Sequence, residues 1–205
     1  MRGDVALVHL PMMDEQWYRQ KLRNKYPWIE VPENDFVLEG FLESNISKRD
    51  VYACYPFVFN DERSPFILHP SCLLMQFVRK TGGAPDLKHF EPANLRGMHD
   101  PSIPKDLREV SILNNYPVAH FRTGNAFYDR GMIDDALQEY ERGLSYPLLS
   151  YPPNSEIRQE LLLNRGVVYF KKEMFEKAEA AWKHVLSMNP HHPLAQEYLR
   201  LLRKK

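Results

Sequence analysis

The stretches "GNAFYDRGMIDDALQEYERGL" (124–144) and "GVVYFKKEMFEKAEAAWKHVL" (166–186) superpose without a gap, and their agreement decides how the second half of the chain folds. The alignment pairs Gly124 with Gly166, Phe127 with Tyr169, Ala136 with Ala178, Tyr140 with Trp182 and Leu144 with Leu186. Small residues stand where two helices must touch, and large ones where the space between them must be filled. Each copy therefore predicts an antiparallel helix pair, and a pair written twice predicts stacking.

The small-large alternation resembles the tetratricopeptide repeat (TPR), a helix pair of about 34 residues. In that register the repeats span about 117–150 and 159–192, with Pro190 where the motif ends and Ala178 at the closest helix contact. Gly124 and Gly166 are 42 residues apart, so about eight extra residues lie between the copies. They fall in "SYPLLSYPPNSE" (145–156): either the second helix of the first pair runs on by a turn or two, or a Pro-stiffened loop intervenes. The end of the chain, "HHPLAQEYLRLLRKK" (191–205), supplies an amphipathic cap helix over about 193–204 and a cluster of cations that suits a helix C-terminus. Two repeats bury too little to stand alone, so a helix near 105–116 and the N-terminal half are expected to complete the core.

Residues 1–80 alternate strand-like and helix-like segments. Val5 to Leu10 is a nearly continuous apolar run that reads as a buried strand, stopped by Pro11. Residues 14–26 read as a helix opened by Asp14 and Glu15, with Trp17, Tyr18, Leu22 and Tyr26 on one face. Asn34 or Asp35 would cap a second short helix carrying Val37, Leu38, Phe41 and Leu42. Residues 50–59 and 66–80 read as strands, the latter bent at Pro70. Gly82, Gly83 and the prolines at 85, 92, 101 and 104 mark 81–104 as a linker. The predicted fold is α+β, with a small layer of about three strands and two helices, then a TPR-like helical domain over 105–205.

Lys plus Arg equals Asp plus Glu at 27 each in the 205 residues, so no global field draws the chain to nucleic acid. No apolar run approaches the roughly 20 residues of a membrane helix, and the N-terminus lacks a signal-peptide core, which taken alone places the chain in the cytosol. Cys54 and Cys72 are two buried thiols, or one bridge if the compartment oxidises.

The N-terminal residues also bear a resemblance. Asp4, Val5, Leu7, Val8, Met12, Met13, Trp17, Tyr18 and Leu22 follow the pattern found after the membrane-spanning part of the protein O-mannosyltransferases and their bacterial relatives, and "KRDVYACYPF" (48–57) and "HPSCLLMQFVRK" (69–80) follow in the expected order. The resemblance implies that this chain is the extracytoplasmic tail behind the last membrane helix of such an enzyme, periplasmic or lumenal, with the catalytic acid and the lipid-linked sugar site elsewhere. It then serves as an accessory domain for the acceptor protein, with no catalysis of its own. In that reading Met1 stands at a cut, and the edge of the Val5–Leu10 strand would pair with a second copy. The alternative is a free-standing cytoplasmic TPR adaptor.

By the TPR resemblance, a concave groove is lined from the first helix of each pair by Phe121, Arg122, Asn125, Tyr128, Asn164, Val167, Phe170 and Lys171, with Val118, Asp129, Glu160 and Leu163 at the remaining groove positions. Amides suit a peptide backbone and aromatic rings suit apolar side chains. Other chemistry is thin. His184, His191 and His192 lack the further ligands zinc needs and read as a solvated helix end. Asp14, Glu15, Asp50 and Asp61 have nothing to fix their separation, and no Gly-rich phosphate loop follows the first apolar run. No catalytic residue, metal or cofactor is assigned.

Overall fold

A computed structural model of the chain describes residues 6, 8–48, 50–54, 63–71, 73–81, 86–89, 107–146 and 155–204. It is α+β: a three-stranded antiparallel sheet precedes a run of helices. The chain divides into two compact units, Met1–His69 with Met75–Pro85, and Pro70–Leu74 with Asp86–Lys205. Of the stretch read as a linker, 82–85 and 90–104 lie outside the described residues.

The first unit begins with a 3-10 turn, Leu10–Met12, and contains α1 (Gln16–Lys25), α2 (Leu38–Ile46) and strands β1 (Tyr52–Cys54), β2 (Phe66–Ser71) and β3 (Leu74–Arg79) in the order β1-β3-β2. The predicted Val5–Leu10 strand is not found at positions 6 and 8–10; Asp4, Val5 and Leu7 lie outside the described residues. Pro11 fixes its own φ within the 3-10 turn and brings no N–H to a ladder, and the His9 N–H donates instead to the Tyr18 hydroxyl at 2.8 Å. Residues 66–80 are not one bent strand but two, β2 and β3, paired in the sheet, with Leu73 in a turn between them.

Helix α1 ends where Pro27 forbids a further turn, and Tyr26 is already non-helical. Leu22 is buried, with Tyr18 and Tyr26 packed around it beside Met13, Val31 and Phe41. Trp17, expected on the same face, is 56% exposed. Three residues cover one face of a helix only at spacings near three and four, and Trp17 precedes Tyr18 by one position. Neither Asn34 nor Asp35 caps α2; the N-cap is Val37, without a side-chain bond. Leu42 on the opposite flank of α2 packs on Ala53, Phe66 and Phe77 of the sheet.

Two polar side chains hold this unit's irregular parts. Arg19, 6% exposed, donates from one terminal nitrogen to the carbonyls of Met13 (2.5 Å) and Asp14 (2.9 Å), tying the 3-10 turn to α1. The Asn45 amide accepts from Glu30 N–H at 3.0 Å and donates to the carbonyls of Glu30 and Phe41. A buried amide so fully paired replaces the sheet hydrogen bonds that a loop lacks.

The second unit is built from α3 (Leu107–Asp129), α4 (Ile133–Ser145), α5 (Ser155–Lys171), α6 (Phe175–Met188) and α7 (Pro193–Leu202). Consecutive helices pack as hairpins, and α3 also touches α5. The separate helix expected near 105–116 is the first half of α3, a single 23-residue helix running through Pro117. The first hairpin ends at Ser145: Tyr146 is extended, as a residue before proline must be, so α4 does not run on. Positions 147–154 lie outside the described residues.

Steric pairing inside each hairpin follows the sequence alignment. A Cβ on Gly124 would stand 2.5 Å from the Tyr140 ring, and one on Gly166 would strike the Trp182 indole still closer. Both hairpins turn through the same C-cap: Met132 N–H donates to Phe127 O and Met174 N–H to Tyr169 O, each at 2.9 Å. The residue in the left-handed region is Gly131 (φ +75°) in the first turn and Glu173 (φ +59°) in the second. Helix α7 closes the far end with Ala195 and Leu199 buried and Tyr198 against Trp182, ring centroids 5.2 Å apart.

Candidate functional site

Of the eight residues assigned to the groove, Phe121, Arg122, Asn125 and Tyr128 stand on α3 and Asn164, Val167, Phe170 and Lys171 on α5. Seven are half-buried and Lys171 is exposed. Phe121 and Tyr128 rest on the core of the first hairpin, Val167 and Phe170 on that of the second, so each gives part of its surface to packing. The two asparagines meet: Asn164 Nδ2 donates to Asn125 Oδ1 at 2.9 Å, and the Tyr140 hydroxyl donates to the same oxygen at 2.8 Å. Burial raises the Tyr140 pKa above that of a free phenol, which keeps its hydroxyl a donor. With both donors aimed at Asn125 Oδ1, the orientation of that amide is set, and Asn125 Nδ2 and Asn164 Oδ1 are the other polar atoms of the pair. Lys171 Nζ stands 4.1 Å above the Tyr128 ring, a cation–π contact that links α5 to α3. The ion pair of Lys172 with Asp134 and the Tyr169 hydroxyl bond to Glu141 (2.9 Å) join α5 to α4.

A second cluster was not foreseen. Glu139 of α4 is fully buried; its Oε2 lies 2.8 Å from His120 Nδ1 and its Oε1 2.6 Å from His89 Nδ1, with an Arg142 nitrogen 3.4 Å from Oε1. His89 Nε2 faces Asp135 Oδ1 at 3.1 Å, and the ring lies 4.9 Å from Phe127, centroid to centroid. Leu87 packs on the same core, so 86–89, read from composition as linker, belongs to the wall of the helical unit. The signal was present in the superposition. His120 and Glu139 align with Leu162 and Ala181, and an apolar position in one copy that is ionisable in the other marks a charge with a dedicated partner.

The carboxy-terminal histidines divide. His184 and His191 are exposed, but His192 is buried, not solvated: as N-cap of α7 its Nδ1 accepts from Ala195 N–H at 3.4 Å. The solvated helix end expected of all three is thus corrected for His192, whose ring is taken into the cap of the next helix. Among the described residues no group of His, Cys, Asp and Glu is arranged to hold a metal, and no described helix is long and apolar enough to cross a membrane. The Cys72 residue and the Cys54 side chain lie outside the described residues, as does Asp61. In comparisons with family models, curated proteins and solved structures, nothing matches this chain.

Proposed function

We propose that the helical unit is a TPR-type module that binds an extended peptide segment of a partner protein on the face shared by α3 and α5. The observation that carries this reading is the orientation of the asparagine pair. With Asn125 Oδ1 taken up by two donors, the Asn125 NH2 and the Asn164 carbonyl oxygen are the groups of the pair that would meet a peptide's own C=O and N–H. Tyr128, Val167 and Phe170 flank the pair with half-covered apolar surface, and Lys171 adds a cation held by an aromatic ring. No reaction is assigned to the chain by itself.

The test is capture of partner peptides on an array or by crosslinking. Asn164→Ala and Lys171→Ala together should abolish capture while the unfolding midpoint stays within a few degrees of wild type. Capture that survives the pair overturns the proposal. Asn125→Ala is the weaker probe because it also strips the Tyr140 hydroxyl of its acceptor.

For the whole protein we propose an accessory role in a membrane-embedded glycosyltransferase that resembles the protein O-mannosyltransferases, with the module holding the acceptor on the extracytoplasmic face. What supports that reading is the resemblance over residues 4–22, with 48–57 and 69–80 following in order. Membrane helices encoded directly upstream of this chain would support the proposal; a stop codon and ribosome-binding site there would leave a free-standing adaptor.

A further inference from the structure

Among the described helices, three glycines are used by the fold. A Cβ on Gly124, Gly143 or Gly166 would come within 2.5, 2.9 or 2.3 Å of a side chain on another helix. Gly40, inside α2, is different: a Cβ there meets nothing within 4 Å, and its backbone is helical rather than left-handed. Glycine within a helix is destabilising relative to alanine, so Gly40 carries a cost that no contact within the unit requires. The space beside it is a cavity of about 210 Å³ with apolar surface from Val31, Pro32, Val37 and Phe41 and two carboxylates, Glu30 and Asp35. Its walls are fixed in advance. Asn45 holds the N–H and C=O of Glu30 at 3.0 and 2.9 Å, and Arg23 donates to the carbonyls of Val31 at 3.4 Å and Pro32 at 3.0 Å. Val31 and Phe41 themselves belong to the core of the unit.

We propose that this cavity receives one lysine or arginine side chain of a partner protein. Size decides against a larger ligand, since pockets for drug-sized molecules begin at roughly 300 Å³. The missing side chain at Gly40 lets an aliphatic stem lie on the backbone of α2, against the apolar surface of Val31 and Phe41. Charge decides the tip. Residues 30–47 hold Glu30, Glu33, Asp35, Glu39 and Glu43 and no lysine or arginine, within a chain whose charges balance. Glu30 pairs with Lys48 and Glu43 with Arg79, whereas Glu33, Asp35 and Glu39 have no ion-pair partner among the described residues. Of those three, Asp35 lines the cavity, where it is placed to accept from an ammonium or guanidinium at the end of the stem. The same excess of carboxylates repels an acidic partner. The site lies within the first unit and does not depend on the reading of the α3 and α5 groove.

The test is nuclear magnetic resonance of the isotope-labelled full chain, titrated at low salt with blocked pentapeptides of glycine around a central lysine, arginine, norleucine or glutamate. The lysine and arginine peptides should shift the amide signals of Gly40, Phe41 and Ser44 saturably. The norleucine peptide should bind about fivefold more weakly, and the glutamate peptide not at all. Gly40→Leu fills the cavity with a better helix former, so the shifts should vanish while the thermal midpoint holds or rises. Asp35→Asn alters an exposed side chain, keeps the fold and should weaken the lysine peptide about fivefold. The proposal is overturned by norleucine binding as tightly as lysine, by no saturable shift, or by binding that survives Gly40→Leu or is unchanged in Asp35→Asn. A lower midpoint in Gly40→Leu overturns it as well, since the glycine would then serve the chain's own packing. Shifts of the same signals on dilution without peptide would give the cavity to a second copy and overturn the assignment to a partner protein.

Discussion

The two helical hairpins, α3–α4 and α5–α6, share a steric code and differ in what they bury. Gly124 against Tyr140 and Gly166 against Trp182 are the same device, a missing side chain that lets a ring lie on the opposite backbone. Around it the second hairpin is apolar, with Leu162, Ala178, Ala181 and Val185 buried, whereas the first buries His120, Thr123 and Glu139. The difference lies in neighbours. The second hairpin has α4 on one side and α7 on the other, both offering apolar side chains. The first meets α5 on one side, and at its other end His89 and Leu87 supply one imidazole and one aliphatic side chain. A terminal repeat cannot present an apolar end to water, and a buried carboxylate is tolerated only when its lone pairs are met.

Substitutions can break that comparison. The largest expected effect is at the ring partners: Trp182→Ala should cost about 3–5 kcal/mol in urea unfolding, and Tyr140→Ala less, because the ring removed is smaller, even though Asn125 Oδ1 is then left with only Asn164 as donor. A Tyr140→Ala cost equal to or above that of Trp182→Ala would mean that the polar network, not the packing, dominates the first hairpin. Next comes the buried charge. Glu139→Ala should cost about 3 kcal/mol by removing the buried carboxylate that both His89 and His120 meet, while His120→Leu with Glu139→Ala, which copies the second hairpin, should cost less than the sum of the singles by about 1 kcal/mol or more. Strict additivity would show that the pair is not coupled.

The phenol at the end of α4 sharpens the comparison by pH. Burial, with the charges of Tyr116 and Glu139 nearby, pushes the Tyr146 hydroxyl up to about 12, so the folded state resists its ionisation. This stabilisation is complete below the ordinary phenol range and is lost as pH rises towards 12, so the urea midpoint should fall between pH 10 and 12. Tyr146→Phe should flatten that fall; an unchanged slope would assign it to other groups. The smallest effect is in the turns. Glu173→Gly relieves a left-handed side chain and should stabilise by about 0.5–1 kcal/mol, and Gly131→Ala should destabilise by about 1 kcal/mol. Equal and opposite shifts in thermal midpoint would confirm that the two turns are one motif with different occupants.

Much of the helical unit was legible because its determinants are local and repeated. Glycine opposite a large ring and the 3.6-residue spacing of apolar positions can be read from a single copy and checked against the other. The eight groove positions follow from the same register. The contact of His89 with Glu139 was not legible in that way, because it spans 50 residues, through a stretch whose glycines and prolines read as linker. Composition reports a segment's own propensity, not what another helix offers it. The N-terminal unit failed more often for a related reason. Val8, Leu10 and Met13 are apolar enough for a strand, and only their packing with Leu22, Val31 and Phe41 reveals a turn seated on a helix.

By itself, then, the sequence determined the α+β division, the paired hairpins and the small-large contacts inside them, since these depend on side-chain volume at fixed helical spacing. Tertiary structure alone decided that 66–80 folds back as a hairpin, that Asn164 bonds to Asn125, that His192 caps a helix, and that a buried glutamate is met by His89. Hydrogen-bond partners distant in sequence are chosen by geometry, and a one-dimensional pattern of polarity does not contain it.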